Sequence, residues 1–142
     1  MKIAIDFDGT IVEHMFPEIG PPVPSALPWI RRWQIAGAKL ILWTMRSDGQ
    51  AVGDVLTAAV EWCREQGIVF DAVNEGIGDR RWTQSPKAHA HIFVDDAGFG
   101  CPLMPSTVVS RPMIDWSIVG PAILEMILAD AKTEATPNPM KQ

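Results

Sequence analysis

The period of the apolar positions changes repeatedly along the chain. Residues 2–7 (KIAIDF) form a short, isoleucine-rich run that closes on Asp-Gly, which predicts a buried parallel strand. Residues 13–24 are rich in Pro, Gly and Glu and predict a loop. In residues 25–36, Leu27, Ile30 and Trp33 recur at helical spacing, and Gly37 marks the stop. Pro28 fits there only because it falls in the first turn, where amides have no helical partner. KLILW, at 39–43, predicts a second buried strand.

Ser47-Asp48-Gly49-Gln50 has the form of a capping box. Behind it Val52, Val55, Leu56, Ala59, Val60 and Cys63 follow the i, i+3, i+4, i+7 pattern of a helix ending at Gly67. Residues 69–73 predict a third strand, and 76–86 are polar and irregular. HIFV, at 91–94, predicts a fourth strand, and 107–110 a fifth. Ile123, Leu124, Ile127, Leu128 and Ala131 line one face of a final helix, with Pro121 at its first position after Gly120. From residue 133 the chain is polar, holds two prolines and predicts a disordered tail.

Strands that alternate with helices predict an α/β fold: a Rossmann-like three-layer sandwich, with helices on both faces of a central parallel sheet. The 142 residues suit one domain, taken as 1–132 followed by the tail 133–142. With 47% hydrophobic and 20% charged residues, the chain can fill one core. A net charge of −5 argues against an extended nucleic-acid face but not against contact with one terminal phosphate. Cys63, on a helix, and Cys101, in a loop, make no metal-site or disulfide spacing. Neither a signal peptide nor a membrane-length apolar stretch is evident, so a cytoplasmic protein without membrane contact is expected.

Ligands of open parallel sheets bind beyond the carboxyl ends of the strands. Those ends carry Asp6 and Asp8, then Thr44 and Arg46, then Asp95 and Asp96, with Ser85-Pro86-Lys87 just before the fourth strand. Four carboxylates in one small site cannot all stay ionised unaided. A hard divalent cation with oxygen ligands answers that crowding, and Mg²⁺ suits carboxylates that share it with a substrate phosphate. Arg46 suits a substrate oxyanion or a helix-surface salt bridge equally well. Lys39 starts a strand and stands at the wrong end of the sheet. Asn74 either braces the site or makes a turn. Arg80-Arg81-Trp82 is either a basic-aromatic patch able to stack a base or a solvated loop with an anchored Trp. His14, His89 and His91 show no metal-ligand spacing, and the six tryptophans are expected mostly in the core or as loop anchors.

DFDGT at 6–10, Thr44, Lys87 and the pair Asp95-Asp96 together resemble the four motifs of the haloacid dehalogenase (HAD) superfamily of aspartate-nucleophile phosphatases. The resemblance runs from Lys2 to about Asp96. It is closest to small bacterial or phage members, and it leaves no room for a cap domain between the motifs. It implies a HAD-like fold without a cap, Mg²⁺, and hydrolysis of a phosphate monoester through an aspartyl-phosphate. Asp6 would be the nucleophile. Asp8 would act as general acid and then base, with a proton favoured by neighbouring carboxylates, and its backbone carbonyl would ligate the metal. Gly9 would offer its backbone N–H to the phosphate, Thr44 its hydroxyl, and Lys87 its charge. Asp6, Asp8, Asp95 and Asp96 would hold the metal, with Asp96 favoured over Asp95 as the direct ligand. Asp95-Asp96 is an adjacent pair, unlike the wider spacing of many members. The substrate would be a small phosphorylated molecule or a terminal phosphate of a larger one, and an open site is compatible with a homo-oligomer or with loop 15–24 as a partial lid. Two alternatives are a receiver-like phosphoacceptor and a non-catalytic phosphate-binding module. Receivers, however, place a lone Asp after the third strand, where this chain has Asn74-Glu75.

Overall fold

A computed structural model describes residues 1–78 and 81–135. In chain order its elements are β1 (Lys2–Ile5), α1 (Ala26–Ile35), β2 (Lys39–Leu42), α2 (Val55–Glu65), β3 (Ala72–Val73), β4 (Ile92–Val94), β5 (Leu103–Met104), β6 (Met113–Ile114) and α3 (Trp116–Ala135). The main sheet is parallel throughout, in the order β3-β2-β1-β4. β5 and β6 pair antiparallel beside it. No helix among the described residues is long and apolar enough to cross a membrane.

Successive side chains of a strand point to opposite faces, and the register decides which residues share one. Ile3 pairs with Leu40 and Ile92, and Ile5 with Leu42 and Val94. These residues join Ile30 and Trp33 of α1, Ala59 and Cys63 of α2, and Trp116, Ile123 and Ile127 of α3 in one core. All three helices therefore cover one face. Ala4 and Ile41, on the other, pack with Ala72, Ala88, Trp43, Ile77 and Ala90. The expected second helical layer is not found among the described residues. The described part of the connection from β3 to β4 packs on that face as irregular chain, where Ala88 and Ala90 are small enough to lie close.

α1 packs on α3 at Gly120, where an added Cβ would stand 2.3 Å from Trp29 Cγ. Trp33 Nε1 donates to the Gly120 carbonyl at 3.0 Å.

Several elements depart from the sequence expectation for local reasons. α2 begins at Val55, not behind a Ser47 capping box, because residues 49–53 close a turn with Gly53 at φ 76° and its N–H on the Gly49 carbonyl. Asp48 instead accepts from the amides of Leu56 and Thr57 and from the Thr57 hydroxyl, and Val52 is left exposed. The strand expected over 69–73 is short because Gln34 Oε1 takes the Val69 amide. The strand expected over 107–110 does not form. Its amides are taken locally, Thr107 by Glu13 and both Val108 and Val109 by Ser106 Oγ. α3 starts at Trp116, so Pro121 lies inside it, and it continues to Ala135, past the expected start of the tail. Residues 136–142 of that tail, and Arg80 of the basic-aromatic trio, lie outside the described residues.

Candidate active site

β1 delivers the chain to Asp6, and a tight turn follows. The Phe7 carbonyl accepts the amides of Thr10, Ile11 and Val12, which folds residues 7–12 back on themselves. Gly9 holds φ 80°, and a Cβ there would stand 2.1 Å from His14 Nε2 and 2.9 Å from Asp96 Cγ. Glycine is needed both for the left-handed backbone and for the approach of two side chains. The Gly9 N–H donates to the Val12 carbonyl at 2.7 Å. This corrects the expectation that it is open to a phosphate.

The turn is tied to distant chain. Trp116 Nε1 donates to the Thr10 carbonyl at 2.7 Å, and the Ile114 amide to the Gly9 carbonyl at 2.9 Å. β4 ends beside β1, and the Asp6 amide donates to the Val94 carbonyl at 2.9 Å. Asp95 and Asp96 thus arrive next to Asp6. Oxygens of these three carboxylates lie within 4.8 Å of one another. They belong to a cleft of about 350 Å³ that Asp8, His14, Phe16, Thr44, Arg46 and Arg111 also line.

Burial pushes the Asp6 carboxyl up to about 7, helped by the charges of Asp95, Asp96 and Asp8 and opposed by the Phe7 amide. Asp8 meets a cation instead. Arg46 Nε donates to its Oδ2 and Nη2 to its Oδ1, each at 2.8 Å. The Arg46 side chain is 1% exposed, lies against the rings of Phe7 and Phe16, and also donates to the carbonyls of Pro17 and Glu18. Neither reading of Arg46 from sequence anticipates this. It is a buried fork that joins Asp8 to loop 15–24. The charge crowding expected to favour a proton on Asp8 is met there by a guanidinium.

Thr44 sits at the end of β2. Its amide donates to Asn74 Oδ1 at 2.8 Å, and its hydroxyl accepts the Arg46 amide at 3.1 Å, which leaves the hydroxyl its own hydrogen to donate. Asn74, at φ 51°, both turns the chain and braces the site, because its Nδ2 donates to the Arg46 carbonyl.

Lys87 is not among the residues lining this cleft. Its ammonium stands over Phe93, 5.9 Å from the ring centroid, on a neighbouring cavity of about 390 Å³ shared with Trp82. Trp82 is 76% exposed, so it does not anchor its loop. Among the described residues of that segment, Pro86 lines the Asp6 side, in a cleft with Thr44, Asn74 and Asp95.

Three residues that carry the site have no motif in the sequence. His14 Nε2 lies 3.0 Å from Asp96 Oδ2, and Arg111 Nη2 lies 3.1 Å from the same oxygen. Glu13, buried at 3% exposure, accepts from the hydroxyls of Ser106 and Thr107 and from the Thr107 amide. Those bonds, the Ser106 hydroxyl first, hold its carboxyl below the usual range. The ionisable pair Glu13-His14, three residues past Thr10 of DFDGT, is the one signal that could have pointed to them.

The fold and site define a parallel α/β domain with an acidic cluster where the carboxyl ends of its two neighbouring strands, β1 and β4, meet. A solved structure of a conserved protein from Bacteroides thetaiotaomicron is similar to it, with 36% identity and a TM-score of 0.70 over 89% of this chain and 91% of that one. The chain belongs to the same family as that protein. No family model matches the chain, and comparison with curated proteins gives no match.

Proposed function

We propose that the protein is a Mg²⁺-dependent phosphate monoester hydrolase of the HAD type, without a cap domain, that works through an aspartyl-phosphate on Asp6. The observation that carries this reading is the meeting of Asp6, Asp95 and Asp96 oxygens within 4.8 Å, in one cleft with Thr44. An all-oxygen, multiply anionic donor set fits a hard divalent cation. Asp6, Asp96 and the Asp8 backbone carbonyl would hold it, with Asp95 as a further ligand. When bound, such an ion offsets the carboxylate charge and that of the phosphate.

The chain's own residues supply the steps. The Asp6 carboxylate attacks phosphorus, the bond to the leaving oxygen breaks, and that oxygen takes a proton from Asp8. Water then attacks phosphorus, gives its proton to Asp8, and frees Asp6 and inorganic phosphate. Thr44 donates its hydroxyl to a phosphate oxygen. Gly9 serves by letting the turn close, not by its N–H. Lys87 would add positive charge from beyond Pro86. The test is phosphate release from p-nitrophenyl phosphate with Mg²⁺, by the native chain and by Asp6→Asn. Release by the first alone supports the reading, and no release from any of a broad ester panel refutes it.

One observation favours a second reading, a phosphoacceptor of slow turnover. Both Asp8 oxygens accept from Arg46, so the fork must open before either oxygen can meet a leaving group or a water. Under that reading phosphorylated protein accumulates with acetyl phosphate and survives acid quenching. Under the first it does not build up.

A further inference from the structure

We infer that the substrate's leaving group carries a second anionic group, a carboxylate or another phosphate, and that Arg111 receives it. This rests on reading the acidic cleft as a phosphate-ester site. The cleft continues into a second hollow, of about 520 Å³, lined by His14, Met15, Phe16, Val109 and Arg111. His14, Phe16 and Arg111 border both. Met15, Phe16 and Val109 are 41%, 54% and 39% exposed, so the hollow offers apolar surface to an organic body between two charged ends.

The charges set the polarity. Arg46 is committed to Asp8 and to two carbonyls, and Lys87 is not on the lining. Among the described residues lining the cleft, Arg111 is the arginine that faces the opening, with its side chain 58% exposed. One nitrogen meets Asp96, and a guanidinium with five donors keeps others for a planar oxyanion. The loop that carries it is fixed and not merely nearby. Glu13 grips Ser106 and Thr107, and β6 is tied to Gly9 through Ile114. A buried carboxylate that anchors the arginine's loop to the catalytic turn gives the two anion positions a set separation.

Matched esters test this: phenyl phosphate against phenyl phosphates bearing a carboxylate or second phosphate at the ortho, meta or para position. For at least one of these, kcat/KM is expected to exceed that of phenyl phosphate by ~10-fold or more, the usual size of a charge-assisted hydrogen bond. In Arg111→Gln that ratio falls toward one, and Arg111→Lys keeps part of it. Calorimetric binding of the same pairs to Asp6→Asn, with and without Arg111→Gln, reads the preference without turnover. If no ester is hydrolysed, the activity proposed above fails, while tighter binding of the anion-bearing ester that depends on Arg111 still upholds the subsite. Equal binding and hydrolysis of the paired esters by the native chain overturns it. So does an equal loss on both esters in a folded Arg111→Gln.

Discussion

Both oxygens of Asp8 are held by Arg46 in a two-point fork, from a guanidinium that also binds the carbonyls of Pro17 and Glu18. One buried cation thus fixes the second aspartate of DFDGT and the loop over it.

Arg46→Ala leaves the Asp8 carboxylate, itself only 17% exposed, without its partner. Breaking a buried pair on one side costs about 3 kcal/mol, which urea unfolding will read. Arg46→Lys keeps the charge but loses the fork and falls between the two.

The Asp6 carboxyl sits near 7 in the folded protein against about 3.8 unfolded. Between those values the folded state holds a proton that the unfolded chain lacks. The contribution to stability is therefore full below about pH 4 and is lost as pH rises through 7, by up to roughly 4 kcal/mol. The melting temperature of chelator-treated protein, compared with Asp6→Asn from pH 4 to 8, should show the native curve falling relative to the variant.

Mg²⁺ acts in the opposite sense. Under the proposed function it binds the folded site and not the unfolded chain, so it is expected to raise the melting temperature, and more at pH 8 than at pH 5. Asp96→Ala, which removes one carboxylate of the trio, should cut that rise by more than half.

Glu13→Gln tests the anchor of the Arg111 loop. The lowered Glu13 carboxyl stabilises the fold above its ordinary 4.5, and that contribution goes as pH drops below it. Losing a charged acceptor of several bonds costs ~2 kcal/mol at neutral pH. Hydrogen exchange of the Thr107 amide should accelerate more than that of the core strands.

Gly9→Ala places a methyl group 2.1 Å from His14 Nε2 at φ 80°. Overpacking and the left-handed backbone together predict a loss of about 2–3 kcal/mol and displacement of His14 from Asp96. A melting curve and the His14 imidazole resonances check both.

The carboxylate cluster was legible in the sequence because it follows from topology alone. Short apolar runs that end in Asp6 and Asp95-Asp96 place those residues at one edge once the strands are parallel and adjacent. Thr44 follows from the same rule. What stayed hidden depends on the paths of irregular chain. Glu13 meets Thr107 across 94 positions, and neither end has a pattern. Arg46 lies at a strand end as expected, but its partner was set by a loop whose shape no periodicity encodes. The second helical layer was expected because alternation usually implies it. Among the described residues of the crossover to β4, Ile77, Ala88 and Ala90 cover that face of the sheet instead.

Trp116 donates its indole N–H to the Thr10 carbonyl, with its ring 5.0 Å from that of Trp33. The turn that follows Asp6 is therefore wired to a chromophore inside the core. A molecule that shifts the backbone at residue 10 will alter the emission of that indole, so an unlabelled compound library can be surveyed by intrinsic fluorescence before any turnover is known.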